Sequence, residues 1–171
     1  MEIEEIIDHY IQRPIMTSPV PAFFDFESDF IEKNIRCIPM LVRFKLDACR
    51  IKLKLSEWSR MTPAERQKLA TMSVDSAHDC DRYRSFLIDL ISARTGGEAT
   101  VLGSHDLDTS WSDTTSIPKY LIEKTESMNA DLSPDKWRNL NTLQRFALTK
   151  LALSKHENKN LAKALKEFGV L

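Results

Sequence analysis

Hydrophobic and polar positions along most of this chain repeat with the period of an α-helix. Ile3, Ile6, Ile7, Tyr10 and Ile11 recur at i, i+3, i+4, i+7 and i+8 among Glu2, Glu4, Glu5, Asp8 and Gln12. That spacing predicts an amphipathic helix over residues 1–12. Pro14, Pro19 and Pro21 follow and predict an extended connector, because proline fixes φ and restricts the residue before it. Pro39 suits a first helical turn, and Met40, Leu41, Phe44, Ala48 and Ile51 continue at helical spacing. Thr62-Pro63-Ala64-Glu65 is a capping box with proline at the first helical position, a specific start signal. Ser76 with Asp79 opens another helix whose apolar face is Tyr83, Phe86, Leu87, Leu90 and Ile91, and Gly96-Gly97 ends it.

The C-terminal part reads the same way. Ser116 with Pro118 predicts a helix through about Met128. Ser133-Pro134 opens the next, with Trp137, Leu140, Leu143, Ala147, Leu148 and Leu151 turned inward along one continuous run. Ser154 and Glu157 make a last capping box ahead of Leu161, Ala164, Leu165 and Phe168, and Gly169 stops that helix. Lys52 to Leu55 alternates polar and apolar but is too short to establish a strand, and residues 98–115 form the one long loop, rich in Ser, Thr, Asp and Gly. The expected fold is all-α: a single compact domain of about six or seven helices, residues 23–171, preceded by a tethered helix and connector, residues 1–22. Such a tethered helix docks onto its own core or is exchanged between two chains to make a homodimer.

Composition narrows the function classes. The chain has 171 residues, enough for one domain with a real core, and 24 basic against 25 acidic side chains. That balance argues against a generally basic nucleic-acid binder, and Trp58, Trp111 and Trp137 are too scattered to form a stacking platform. No apolar run approaches the roughly 18 residues of a membrane span, and the acidic start is unlike a signal peptide, so a cytoplasmic protein is expected. Gly96, Gly97, Gly103 and Gly169 are the only glycines, and no phosphate-cradling loop is present, so no nucleotide cofactor is assigned. Charge is uneven: residues 116–171 hold 10 basic and 6 acidic side chains, which leaves the C-terminal third positive.

The candidate chemistry is sparse. Cys37, Cys49 and Cys80 are odd in number and widely spaced, so they make no disulfide framework. With His78 the three cysteines would supply a Cys₃His metal set, but their spacing fits no standard zinc pattern, and free cysteines usually behave as small buried hydrophobes. Cys37 beside Arg36 has no histidine marked as its base, so no catalytic residue is assigned and the chain reads as a non-enzyme. The polar run Lys155, His156, Glu157, Asn158, Lys159 and Asn160, with Arg145 in the preceding helix, reads either as a binding surface or as capping at a helix junction. Arg36, Arg43 and Lys45 read as a solvated face or an anion site.

Two blocks carry a family resemblance. RCIPMLVRFKLDACRIKLKLSEW, from Arg36 to Trp58, and WRNLNTLQRFALTKLALSKHENKNLAKALKEFG, from Trp137 to Gly169, resemble the nitrate reductase-associated protein family, best known from cyanobacteria. The phenylalanine-rich FFDFESDF ahead of them resembles the family's start, so the likeness runs from about Phe23 to the C-terminus. It implies an accessory role toward a molybdenum-dependent assimilatory nitrate reductase, in maturation, assembly or activity, with the reductase polypeptide as partner. It brings no assigned catalytic or ligand residues. The expected partner contacts are Arg36, Arg43, Lys45, Arg145, His156, Glu157, Asn158 and Asn160, which would form one cationic face if the two blocks pack together. A small metal- or cofactor-binding carrier using Cys37, Cys49 and His156 is the alternative.

Overall fold

A computed structural model describes residues 23–28, 37–154 and 158–171. The predicted helix over residues 1–12, its proline connector and any exchange of that helix lie outside the described residues, as do Arg36, His156 and Glu157. The described chain is mostly helical, with one two-stranded ladder, and packs into two compact units.

The first unit holds the described residues 37–107. Helix α1, Met40–Ala48, follows Pro39 and ends at Cys49. Arg50 then takes a left-handed conformation, φ 53°, and turns the chain into strand β1, Ile51–Lys52. A short helix α2, Leu55–Ser59, follows, an element that the sequence pattern did not predict. Helix α3, Pro63–Thr71, begins at the predicted capping box: Thr62 Oγ1 accepts from the Glu65 amide, and Glu65 Oε2 accepts from the Thr62 amide at 2.7 Å. Helix α4, Ala77–Thr95, is capped by Ser76 Oγ and closed by Gly96 at φ 69°, as its serine and glycine predict. Strand β2, Thr100–Val101, emerges from the predicted loop and pairs antiparallel with β1, Ile51 opposite Val101. Val42, Phe44, Ile51, Leu69, Tyr83, Leu87 and Ile91 fill this unit's core.

The second unit combines the described residues 24–28 with 108–154 and 158–171. A 3₁₀ turn at Ser110–Ser112 leads to helix α5, Lys119–Glu126, whose N-cap is Pro118 and not Ser116. Helix α6, Pro134–Asn139, starts at the predicted Ser133, whose hydroxyl accepts from the Lys136 amide. The continuous run expected beyond it is broken. Leu140 is extended, and Asn141 opens a separate helix α7, Thr142–Leu153, through a capping box with Gln144. Two orphan amides are satisfied there at once, and that competes with continuing the helix through Leu140.

Helix α8, Asn158–Glu167, completes the second unit, and Gly169 at φ 69° ends it; the predicted cap at Glu157 lies outside the described residues. The phenylalanine-rich N-terminal segment belongs here. Asp25 and Phe26 donate their amides to the two oxygens of the Glu167 carboxylate, each at 2.9 Å. Phe24 and Phe26 stack 5.4 Å apart, and Phe24 meets Phe168 at 4.9 Å. Packing of three rings, with Phe26 buried and Phe24 and Phe168 half-buried, beside a doubly engaged carboxylate explains why a short acidic segment, remote in sequence, is held on α8.

Candidate functional site

Two cations singled out in the sequence are internal. Lys45 is 7% exposed, and its ammonium donates to the carbonyls of Ala70 and Met72, each at 2.6 Å. These are orphan acceptors at the C-terminal end of α3, so a side chain of α1 caps a neighbouring helix. Burial pushes the Lys45 ammonium down to about 8, and the negative charge of Asp75 limits the fall. Arg43, on the same helix, is half-buried and donates its Nε to the carbonyl of Ile38 at 2.9 Å.

Arg145 is the corresponding residue of the second unit, 2% exposed at the start of α7. Its guanidinium donates from Nε to the Trp111 carbonyl at 3.1 Å and from an Nη to the Leu140 carbonyl. It also lies 5.9 Å from the ring of Trp137. The indole nitrogens of Trp111 and Trp137 donate to the carbonyls of Asp108 and Asp113, at 3.0 and 2.8 Å. One guanidinium and two indoles therefore hold the backbone of residues 108–113. Neither Lys45 nor Arg145 presents its charge to solvent, so the cationic face expected from these residues is not built from them.

The same segment carries a polar node that sequence reasoning missed. The Tyr120 hydroxyl donates to Asp108 Oδ2 at 2.7 Å, and Ser110 Oγ lies 3.1 Å from that hydroxyl. The Ser110 amide donates to Asp108 Oδ1 at 2.8 Å. Burial alone would raise Asp108; the hydrogen bonds from Ser110 and Tyr120, with Lys150 nearby, outweigh it and hold the carboxyl below its ordinary value. Asp-x-Ser is an Asx-turn signal that was present in the sequence, but its tyrosine partner lies on α5 and only folding supplies it.

The outward side of α8 is cationic. Leu161, Ala164 and Leu165 are fully buried on one side, while Lys159, Lys163 and Lys166 are exposed at i, i+4 and i+7. Asn160 is half-buried beside them, and Glu167 has its carboxylate engaged on the amides of Asp25 and Phe26.

A family model, the conserved nitrate reductase-associated protein, matches residues 23–168. The chain belongs to that family. The description of this family points to association with nitrate reductase. The two ends of the matched segment meet in the structure, since Phe24 packs on Phe168 and Glu167 binds the Asp25–Phe26 turn. No curated protein and no solved structure matches the chain.

The cysteines of this family member are partly brought together. Cys49 and Cys80 are buried, with Cys80 Sγ 3.9 Å from the carbonyl of Ala48 next to Cys49, whereas Cys37 is half-buried ahead of α1 and His78 is exposed on α4. Among the described residues no three His, Cys, Asp or Glu side chains gather closely enough to hold a metal ion. No described helix is long and apolar enough to cross a membrane.

Proposed function

We propose that this protein is a non-enzymatic accessory factor that supports the maturation, assembly or activity of a cytoplasmic, molybdenum-dependent nitrate reductase through protein–protein contact. The match of residues 23–168 to the nitrate reductase-associated family carries this reading. The α8 face supports it as the contact. Its apolar side is committed to the core, and the exposed lysines at 159 and 166 on its outward side suit an acidic surface. Of the contacts expected from the sequence, Asn160 lies on this helix and Arg43 reaches the surface from α1. Lys45 and Arg145 act from inside, by fixing the end of α3 and the 108–113 segment.

Titration calorimetry of the full chain against purified nitrate reductase, in apo and mature forms, tests both parts. Binding is expected to weaken as salt rises and to fall at least about tenfold in the double variant Lys159→Glu/Lys166→Glu. Unchanged affinity in that variant removes α8 as the contact. Absence of binding to either form of the reductase removes the accessory reading itself.

A further inference from the structure

The end of α8 already carries a docked peptide segment, the chain's own residues 24–28, and that occupant shows which chemistry this surface accepts. The segment keeps its own shape. The Glu27 amide donates to the Phe24 carbonyl at 3.1 Å, and the Ser28 hydroxyl donates to the Asp25 carbonyl at 2.8 Å. Its seat includes two neighbouring residues of α8 and its end. Glu167 accepts the Asp25 and Phe26 amides, one on each carboxylate oxygen, and the Phe168 ring meets Phe24 at 4.9 Å and Phe26 at 6.2 Å. Phe26 is buried, Phe24 and Phe168 are half-buried, and Asp25 between the two stacked rings is exposed.

Physical features of this contact make it transferable. Glu167 lies in the last turn of α8, where the helix dipole disfavours a negative charge, and the two amides of the segment offset that penalty. Those donors are main-chain groups, which any chain in the same turn would present, so selectivity lies with the rings. Asp25 stays in solvent on a helix whose outward side carries Lys159 and Lys166. An acidic residue between two aromatic ones therefore fits both the seat and the charge of the helix that bears it. The segment also leaves Phe24 and Asp25 in contact with solvent, the profile of an element that opens locally without unfolding the core.

We propose that residues 24–28 are an internal strap, and that the Glu167–Phe168 end of α8 is the docking site for an aromatic–acidic–aromatic turn of the protein partner, which displaces the strap when it binds. With α8 taken as the reductase contact, as proposed above, the partner's element has a stated chemistry. It carries two aromatic residues flanking Asp or Glu, and it offers two adjacent main-chain amides to Glu167. The strap competes from within the same molecule. A segment tethered in this way acts at an effective concentration on the order of 1 mM, so the partner's turn succeeds where its acidic groups also engage the α8 lysines. Displacement frees Phe24 and Phe26 from the α8 end.

The experiment follows amide hydrogen exchange of the full chain by NMR while a terminally blocked peptide of residues 23–28, FFDFES, is added to about 5 mM. Exchange of the Asp25 and Phe26 amides is expected to accelerate at least about tenfold, while amides inside α7 keep their rates. The control peptide AADAES should change neither. In Phe24→Ala/Phe26→Ala the vacated seat should bind FFDFES at least about tenfold more tightly than the wild type does, and adding Glu167→Gln should remove most of that gain. Unchanged exchange at Asp25 and Phe26, an equal effect of AADAES, or peptide binding indifferent to Glu167→Gln would each overturn the proposal. The wild-type exchange decides the matter even where a variant does not fold. No reductase enters this assay, so a seat that rejects the peptide and a reductase that fails to bind the chain are separate results.

Discussion

Each unit of this protein buries one long cation among main-chain carbonyls, yet the two cations do different work. Lys45 places a single ammonium at the end of α3, where the carbonyls of Ala70 and Met72 converge. Arg145 spreads a planar fork between the Trp111 carbonyl, in an irregular segment, and the Leu140 carbonyl, where α6 gives way to α7. A compact charge suits one convergent cap, whereas five donors in a rigid plane suit acceptors that lie in different elements. The lysine also pays for desolvation with its protonation, since burial brings it down to about 8. The same residue class thus ends a helix in one unit and braces an irregular loop in the other.

The sharpest way to break the comparison is Arg145→Ala. It leaves the Trp111 and Leu140 carbonyls without that donor and opens a cavity beside Trp137, and is expected to cost about 3–5 kcal/mol in urea unfolding. Arg145→Lys should recover only part of that loss, because one ammonium cannot follow two diverging acceptors. A loss below about 1 kcal/mol for the alanine variant would make the guanidinium a passenger.

Lys45 should respond to pH in a way Arg145 does not. Its folded value, about 8, is lower than the 10.5 of an unperturbed lysine, so between these values the unfolded chain binds more protons than the folded one. Stability contributed by Lys45 therefore rises with pH across that window, up to on the order of 3 kcal/mol, and is absent below it. The neutral amine keeps two N–H donors for its two carbonyls. The gap in unfolding free energy between wild type and Lys45→Met should widen in favour of the wild type from about pH 8 to pH 10.5. A flat difference would refute the buried-lysine account.

Two smaller effects sharpen the contrast between interior and surface. Asn141→Ala removes the cap that separates α7 from α6 and should cost about 1 kcal/mol, read as a shift in the urea midpoint. Lys159→Glu/Lys166→Glu changes exposed side chains only and should alter stability by no more than about 0.5 kcal/mol, even if partner binding is lost. A large destabilisation in that variant would mean that the α8 lysines brace the fold as the buried cations do.

Much of the helical layout was legible because its signals are local. Thr62 with Glu65, Ser76 with Asp79 and Ser133 with Pro134 each mark a start within one turn, and Gly96 marks an end; all four behave as expected. The α6–α7 break was also written locally, as Asn141 with Gln144, but the apolar spacing from Trp137 to Leu151 runs through it and hid the capping box. Strand β2 was not legible, since two residues carry no period and acquire meaning only from β1. The candidate site was less legible still. Lys45 and Arg145 look like solvated cations in the sequence, because the carbonyls that bury them belong to residues 70, 72, 111 and 140.

The sequence by itself determined that this chain is helical, where most helices start and stop, and the family to which it is similar. Those properties depend on caps, glycines and periodicities that act within a few residues. Only the tertiary structure decided which cations turn inward, that Cys80 meets the Ala48 carbonyl, and that the Phe24–Phe26 segment is held by Glu167 and Phe168. Burial is a property of what surrounds a side chain, and those surroundings come from distant parts of the chain whose meeting no local pattern encodes.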